Sequence, residues 1–108
     1  GSGVAKRAMG FDMKVLVHDP YVHSVPKELP KIQLVSIENL IRQADFVSLH
    51  APLNDDTRNI IGPAELAAMK PGAFLINTAR GGLVDEQALF NALNTGKIPG
   101  AAFDCFVD

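Results

Sequence analysis

Short apolar runs that alternate with helix-forming segments constrain this chain most. Residues 13–17 (MKVLV), 46–50 (FVSLH), 73–76 (AFLI) and 101–103 (AAF) are each only three to five residues long. Between them lie stretches with the spacing and punctuation of helices. Strands this short and this apolar fit a parallel sheet covered on both faces, because parallel neighbours must be joined by a crossover that is usually helical. The sequence therefore predicts an α/β fold built of βαβ units. With 108 residues it can bury one core and form one domain.

The punctuation refines that reading. Residues 3–11 read as a helix with Val4, Ala8 and Phe11 along its apolar stripe. Pro20 cannot continue a ladder, so it closes the first strand. Residues 22–31 hold two prolines and alternate in charge, as a loop does, and 32–35 read as a short strand. Ser36 can cap a helix over 37–44 by accepting from its free first-turn amides. Pro52 stops the next strand. Asp55 or Asp56 is expected to cap a helical turn reaching Ile60. Pro63 suits the first turn of a short helix through Met69, which Lys70, Pro71 and Gly72 break. Asp85 caps a helix to Asn94, and Gly96 takes the left-handed position that ends it. No internal repeat or low-complexity tract is visible.

Composition narrows the partners. Net charge is −2 with no basic cluster, so nucleic acid or an anionic membrane finds no electrostatic footing. The apolar runs are too short to span a bilayer. A single cysteine, Cys105, excludes an intrachain disulfide and fits a reducing, cytoplasmic setting. His18, His23 and His50 stand at no metal-ligand spacing, so no metal is expected.

In open parallel sheets, ligands sit beyond the carboxyl ends of the strands. That rule places Asp19, His50 to Pro52, Thr78 to Arg80 and Asp104 on one rim. A carboxylate just past a strand can bind the two hydroxyls of an adenosine ribose; Asp19 can equally be a turn-former before proline. Arg80 can hold a carboxylate through two parallel hydrogen bonds, or can be a solvated loop charge. Gly81 and Gly82 favour the first reading, since they let the backbone turn sharply and direct the guanidinium.

With those residues in view, INTARGGLVDEQAL, preceded by FVSLHAPLNDDTRNIIG and followed by GAAFDCF, resembles the D-2-hydroxyacid dehydrogenases, which include phosphoglycerate dehydrogenases and glyoxylate and hydroxypyruvate reductases. The likeness covers nearly the whole chain and is weakest at 22–35. It implies a Rossmann-like parallel sheet with flanking helices, NAD as cofactor, and a small 2-oxo or 2-hydroxy acid as substrate. It also implies a homodimeric parent enzyme. By register, Gly1 matches the third glycine of the family's phosphate-binding turn and Asp19 its ribose-binding acid, which favours NAD over NADP. Ala51 and Pro52 would border the nicotinamide ribose, and Thr78 and Ala79 would line the cofactor cleft. Arg80 would bind the substrate carboxylate and polarise the carbonyl. Asp104 would bond the nicotinamide carboxamide, and His50 would be a structural neighbour of the cleft.

The resemblance also says what to expect beyond these residues. Residues 1–108 match part of an NAD-binding domain, with the first strand, most of the glycine turn and the substrate-binding domain falling outside. The family's glutamate would follow immediately after Asp108, and its acid/base histidine later still; none of the three histidines present matches it. Arg80 is then the one catalytic group the chain carries. Without a positioned proton donor, worth ~10²–10⁴-fold, catalysis by this chain alone is not expected. Two other readings stay open: a non-catalytic NAD-binding corepressor resembling the C-terminal binding proteins, and a fragment that packs and binds nothing. Loss of the first strand would leave unpaired edges, so either the first strand seen here closes on FVSLH or a larger body supplies what is missing.

Overall fold

The computed structural model describes residues 1–104 and contains α1 (Ser2–Gly10), β1 (Leu16–Val17), β2 (Gln33–Leu34), α2 (Ile37–Gln43), β3 (Phe46–Leu49), α3 (Pro63–Ala68), β4 (Phe74–Asn77), α4 (Glu86–Asn94) and β5 (Ala101–Phe103). A single 3-10 turn, Gly81–Leu83, lies between β4 and α4. Cys105 and Asp108 fall outside the described residues. The chain organises into two compact units, Gly1–Leu40 and the remainder from Ile41.

In the first unit β1 and β2 pair in parallel, Leu16 opposite Gln33 and Val17 opposite Leu34. The Gln33 amide donates to the Val15 carbonyl at 2.9 Å and the Val35 amide to that of Val17 at 2.9 Å. A small core of Ala5, Leu29 and Ile32 is packed by Met9, Val15, Val17 and Leu34. The expected helix is present, but its buried side is set by Ala5 and Met9. Val4 and Phe11 are exposed, because the few apolar groups opposite are grouped under the Ala5 face. The strand is also shorter than 13–17. Asp12, at φ 58°, takes the left-handed position after the helix. The Met13 and Asp12 amides then donate to the carbonyls of Ala8 and Met9, so residues 11–13 are consumed in ending α1.

In the second unit β3, β4 and β5 form a three-stranded parallel sheet in that order. α3 and α4 lie in the two crossovers and contact each other. Side chains alternate across the strands. Val47 and Leu75, which are register partners, are buried with Leu66, Met69, Leu83, Leu89 and Ile98 in this unit's core. Their neighbours Phe46 and Phe74 point the other way, remain partly exposed, and stack with ring centroids 5.6 Å apart. The α/β class is as expected. β1 pairs with β2 and β3 with β4, so the first strand does not close on FVSLH.

The local signals mostly act as read. Ser36 Oγ accepts from the Asn39 amide at 3.2 Å and Asp85 Oδ1 from the Ala88 amide at 3.1 Å. Gly72 and Gly96 take positive φ. The expected helical turn after Pro52 is a run of turns instead, capped neither by Asp55 nor by Asp56. Asn54 Oδ1 accepts from the Asp56 and Thr57 amides at 2.9 and 3.0 Å, because Asn54 precedes both and closes a local turn onto them.

Candidate functional site

Parallel strands run out at one edge of the β3–β4–β5 sheet, and three loops leave from it. Ala51 and Pro52 follow β3, Thr78 to Arg80 follow β4, and Asp104 follows β5. The structure therefore brings these predicted residues to one rim of one sheet. Thr78, Arg80, Pro52 and Asp104 are exposed there, and Ala51 and Ala79 are half-buried.

The rim is held by main-chain bonding between its loops. The Asn59 amide donates to the Gly82 carbonyl at 2.8 Å, the Ile61 amide to Leu83 at 3.1 Å, and the Asp85 amide back to Ile61 at 2.9 Å. Ile61 and Val84 form a parallel bridge. Thr57 Oγ1 donates to the Pro52 carbonyl at 2.6 Å and fixes the start of the first loop. This bonding bears on Gly82, the second glycine after Arg80. Gly81 and Gly82 open the 3-10 turn Gly81–Leu83, as the sharp-turn reading expects, and neither needs a left-handed φ to do so. At Gly82 the requirement is space: a Cβ there would meet both Leu53 methyls at 3.0 Å and Arg58 Nη1 at 3.4 Å. Glycine lets the two loops approach closely enough to bond.

Arg80 leaves the strand end in extended backbone, φ −149° and ψ 141°. Its Nη1 donates to the Ala79 carbonyl at 2.7 Å, and the rest of the guanidinium fork stays available to an anion. Sequence reasoning passed over the residue beneath it. Asn77 is fully buried at the end of β4. Its Oδ1 accepts from the Ala79 amide at 3.0 Å, its Nδ2 donates to the Arg80 carbonyl at 2.8 Å, and its own carbonyl accepts from the Asp104 amide at 3.1 Å. Asparagine is a poor strand former, and one that ends an apolar run just before Thr-Ala-Arg was the available signal.

His50 lies on the same rim, largely exposed, its Nε2 2.8 Å from Ser48 Oγ, and the partial desolvation of its ring lowers its pKa from the usual histidine value of 6.5. Asp19 and Gly1 lie in the first unit. Asp19 follows β1, and its Oδ1 accepts from the Tyr21 amide at 2.9 Å, a local turn that leaves the other oxygen exposed. Gly1 stands at the N-cap of α1, its carbonyl accepting from the Ala5 amide at 3.0 Å. Among the described residues no group of three or more His, Cys, Asp or Glu could hold a metal ion, and no helix is long and apolar enough to cross a membrane.

Parallel strands joined by helical crossovers, with exposed polar groups and a buttressed arginine beyond their carboxyl ends, define an α/β protein of the dinucleotide-binding class. The chain belongs to the D-isomer specific 2-hydroxyacid dehydrogenase family, whose NAD binding domain matches residues 1–108. It is 47% identical over 107 residues to D-3-phosphoglycerate dehydrogenase of Methanocaldococcus jannaschii, covering 98% of this chain and 20% of that protein. Among solved structures, D-lactate dehydrogenase from Aquifex aeolicus complexed with NAD and lactic acid superposes with a TM-score of 0.93 at 37% identity, over 100% of this chain and 32% of that one. An acyclic imino acid reductase in complex with NADPH and D-Arg superposes with a TM-score of 0.92 at 42% identity, over 100% of this chain and 34% of that one. The chain thus spans between about a fifth and about a third of the length of these relatives.

Proposed function

We infer that these residues serve an oxidoreductase that moves a hydride between NAD and a small 2-oxo or D-2-hydroxy acid. The observation that carries the reading is Arg80: a guanidinium presented at the carboxyl end of β4, on main chain held by Asn77 and by the loop after β3. Such a group holds a carboxylate through two parallel hydrogen bonds and polarises the adjacent carbonyl, so that negative charge developing on its oxygen is stabilised.

The residues present suit NAD. The exposed carboxylate of Asp19 past β1 can accept from both hydroxyls of an adenosine ribose and repels a 2′-phosphate. Gly1, at the N-cap of α1, suits close approach of a pyrophosphate. Ala51 and Pro52 offer a small, stiff wall for the nicotinamide ribose, and Thr78 and Ala79 line the same cleft. Asp104, whose amide is pinned to Asn77, accepts from the nicotinamide carboxamide and thereby sets which ring face is presented. When bound, the reduced cofactor NADH would supply the hydride and be left as NAD, while Arg80 and Asp104 orient and polarise. His50 stays a neighbour of this cleft, held by Ser48.

The reading extends to a water-soluble parent that is homodimeric and cytoplasmic and has no nucleic-acid partner. The full-length protein is expected to oxidise NADH in the presence of a 2-oxo acid such as glyoxylate, hydroxypyruvate or pyruvate, and to form the D-2-hydroxy acid. Tight NADH binding with no turnover of any 2-oxo acid would favour a corepressor-like relative instead. Absence of NADH binding would leave a packing unit that binds nothing.

A further inference from the structure

Asn77 is one of the most completely buried side chains in the second unit and its one buried polar residue among those described, at 0% exposure. Buried amides persist where they satisfy other groups, since an unpaired polar group in the interior is costly. Asn77 satisfies two that are not its own. Oδ1 takes the amide of Ala79 and Nδ2 gives to the carbonyl of Arg80. These two bonds clamp the successive residues 79 and 80, where the chain leaves the strand. Its main-chain carbonyl separately holds the Asp104 amide. One residue therefore sets the main chain of the two groups assigned to the reacting end of the site, Arg80 directly and Asp104 across the β4–β5 ladder.

We propose that Asn77 is a positioning residue for the reaction: its carboxamide clamps the Ala79–Arg80 peptide so that the guanidinium meets the substrate carboxylate. This rests on the reading of Arg80 given above. The clamp needs both a donor and an acceptor in one flat group, which asparagine has and ionised aspartate lacks. Asn77→Asp keeps the shape and the acceptor for Ala79 but turns a second acceptor toward the Arg80 carbonyl. Arg80 should then wander while the strand stays in place.

The test compares Asn77→Asp, Arg80→Lys and the double variant in the full-length protein, by steady-state kinetics with a 2-oxo acid and by NADH titration. Asn77→Asp is expected to raise KM for the 2-oxo acid about tenfold, the scale of a lost hydrogen bond, with NADH affinity within about twofold of normal. Because Asn77 acts through Arg80, adding Asn77→Asp to Arg80→Lys should cost little more. Normal kinetics in Asn77→Asp beside an impaired Arg80→Lys would overturn the proposal alone. So would losses that multiply in the double variant, or an equal loss of NADH affinity, since either marks general loosening. Normal kinetics in Arg80→Lys would overturn the function reading and this proposal with it. Should Asn77→Asp not fold, Asn77→Ser is read by the same criteria.

Discussion

At Asp19 the two readings of a carboxylate before proline turn out to be compatible. One oxygen makes the local turn with the Tyr21 amide, and the other remains exposed past β1. The turn fixes where the carboxylate points, which is what a ribose-binding acid needs. The full-length protein is therefore expected to prefer NADH to NADPH in kcat/KM, and Asp19→Ala to erode that preference by about tenfold, since a 2′-phosphate no longer meets a negative charge. Equal use of both cofactors by the unaltered protein would remove Asp19 from this role. The placement of Arg80, Thr78 and Asp104 past strand ends was legible because charged or polar groups just past short apolar runs stand out. Asn77 was not, because its importance lies in two main-chain partners that a linear reading cannot supply.

At the scale of elements, the helix and strand order was legible because each boundary carries its own chemistry: Ser36 and Asp85 at helix starts, Pro63 in a first turn, Gly96 at a helix end. Removing one of these costs what a cap is worth; Asp85→Ala should destabilise α4 by about 1 kcal/mol in denaturant unfolding. What failed were choices between near neighbours. Asn54 rather than Asp55 or Asp56 closes the turn after Pro52, and Asp12 ends α1 and shortens β1. At Gly82 the turn was legible and is present, whereas the close approach to Leu53 was not. Gly82→Ala should accordingly destabilise by about 1–2 kcal/mol through overpacking. Leu53→Ala combined with it should recover part of that loss. Strictly additive effects in the double variant would show that the two side chains do not compete for the same space.

For the molecule as a whole, the α/β class followed from the alternation of elements and the unpaired edges from the strand that falls outside residues 1–108, but which of the two expected arrangements β1 would take did not. Pairing depends on which strands are brought side by side, and no local pattern encodes that. The consequences are physical. A two-stranded sheet over a core of Ala5, Leu29 and Ile32 is marginal by itself, whereas three parallel strands backed by two helices bury far more. Residues 1–108 studied alone should therefore melt without one sharp transition. Hydrogen exchange should free the amides of Gln33 and Val35 before that of Phe74, which bonds Asp45 at the start of β4. A single sharp melt of a monomer, with all three amides equally protected, would contradict this.

In the proposed function, the rim of the β3–β4–β5 sheet presents Arg80 to a substrate carboxylate. Kinetics of Arg80→Lys in the full-length protein test it most directly, because lysine keeps the charge and loses the planar two-pronged contact. In Arg80→Lys, kcat/KM for a 2-oxo acid is expected to fall by about 10²-fold or more, through both KM and kcat, as befits a group that binds the acid and polarises its carbonyl. NADH affinity should be nearly unchanged. Near-normal KM and kcat in Arg80→Lys would show instead that Arg80 is a solvated loop charge with no part in holding the substrate.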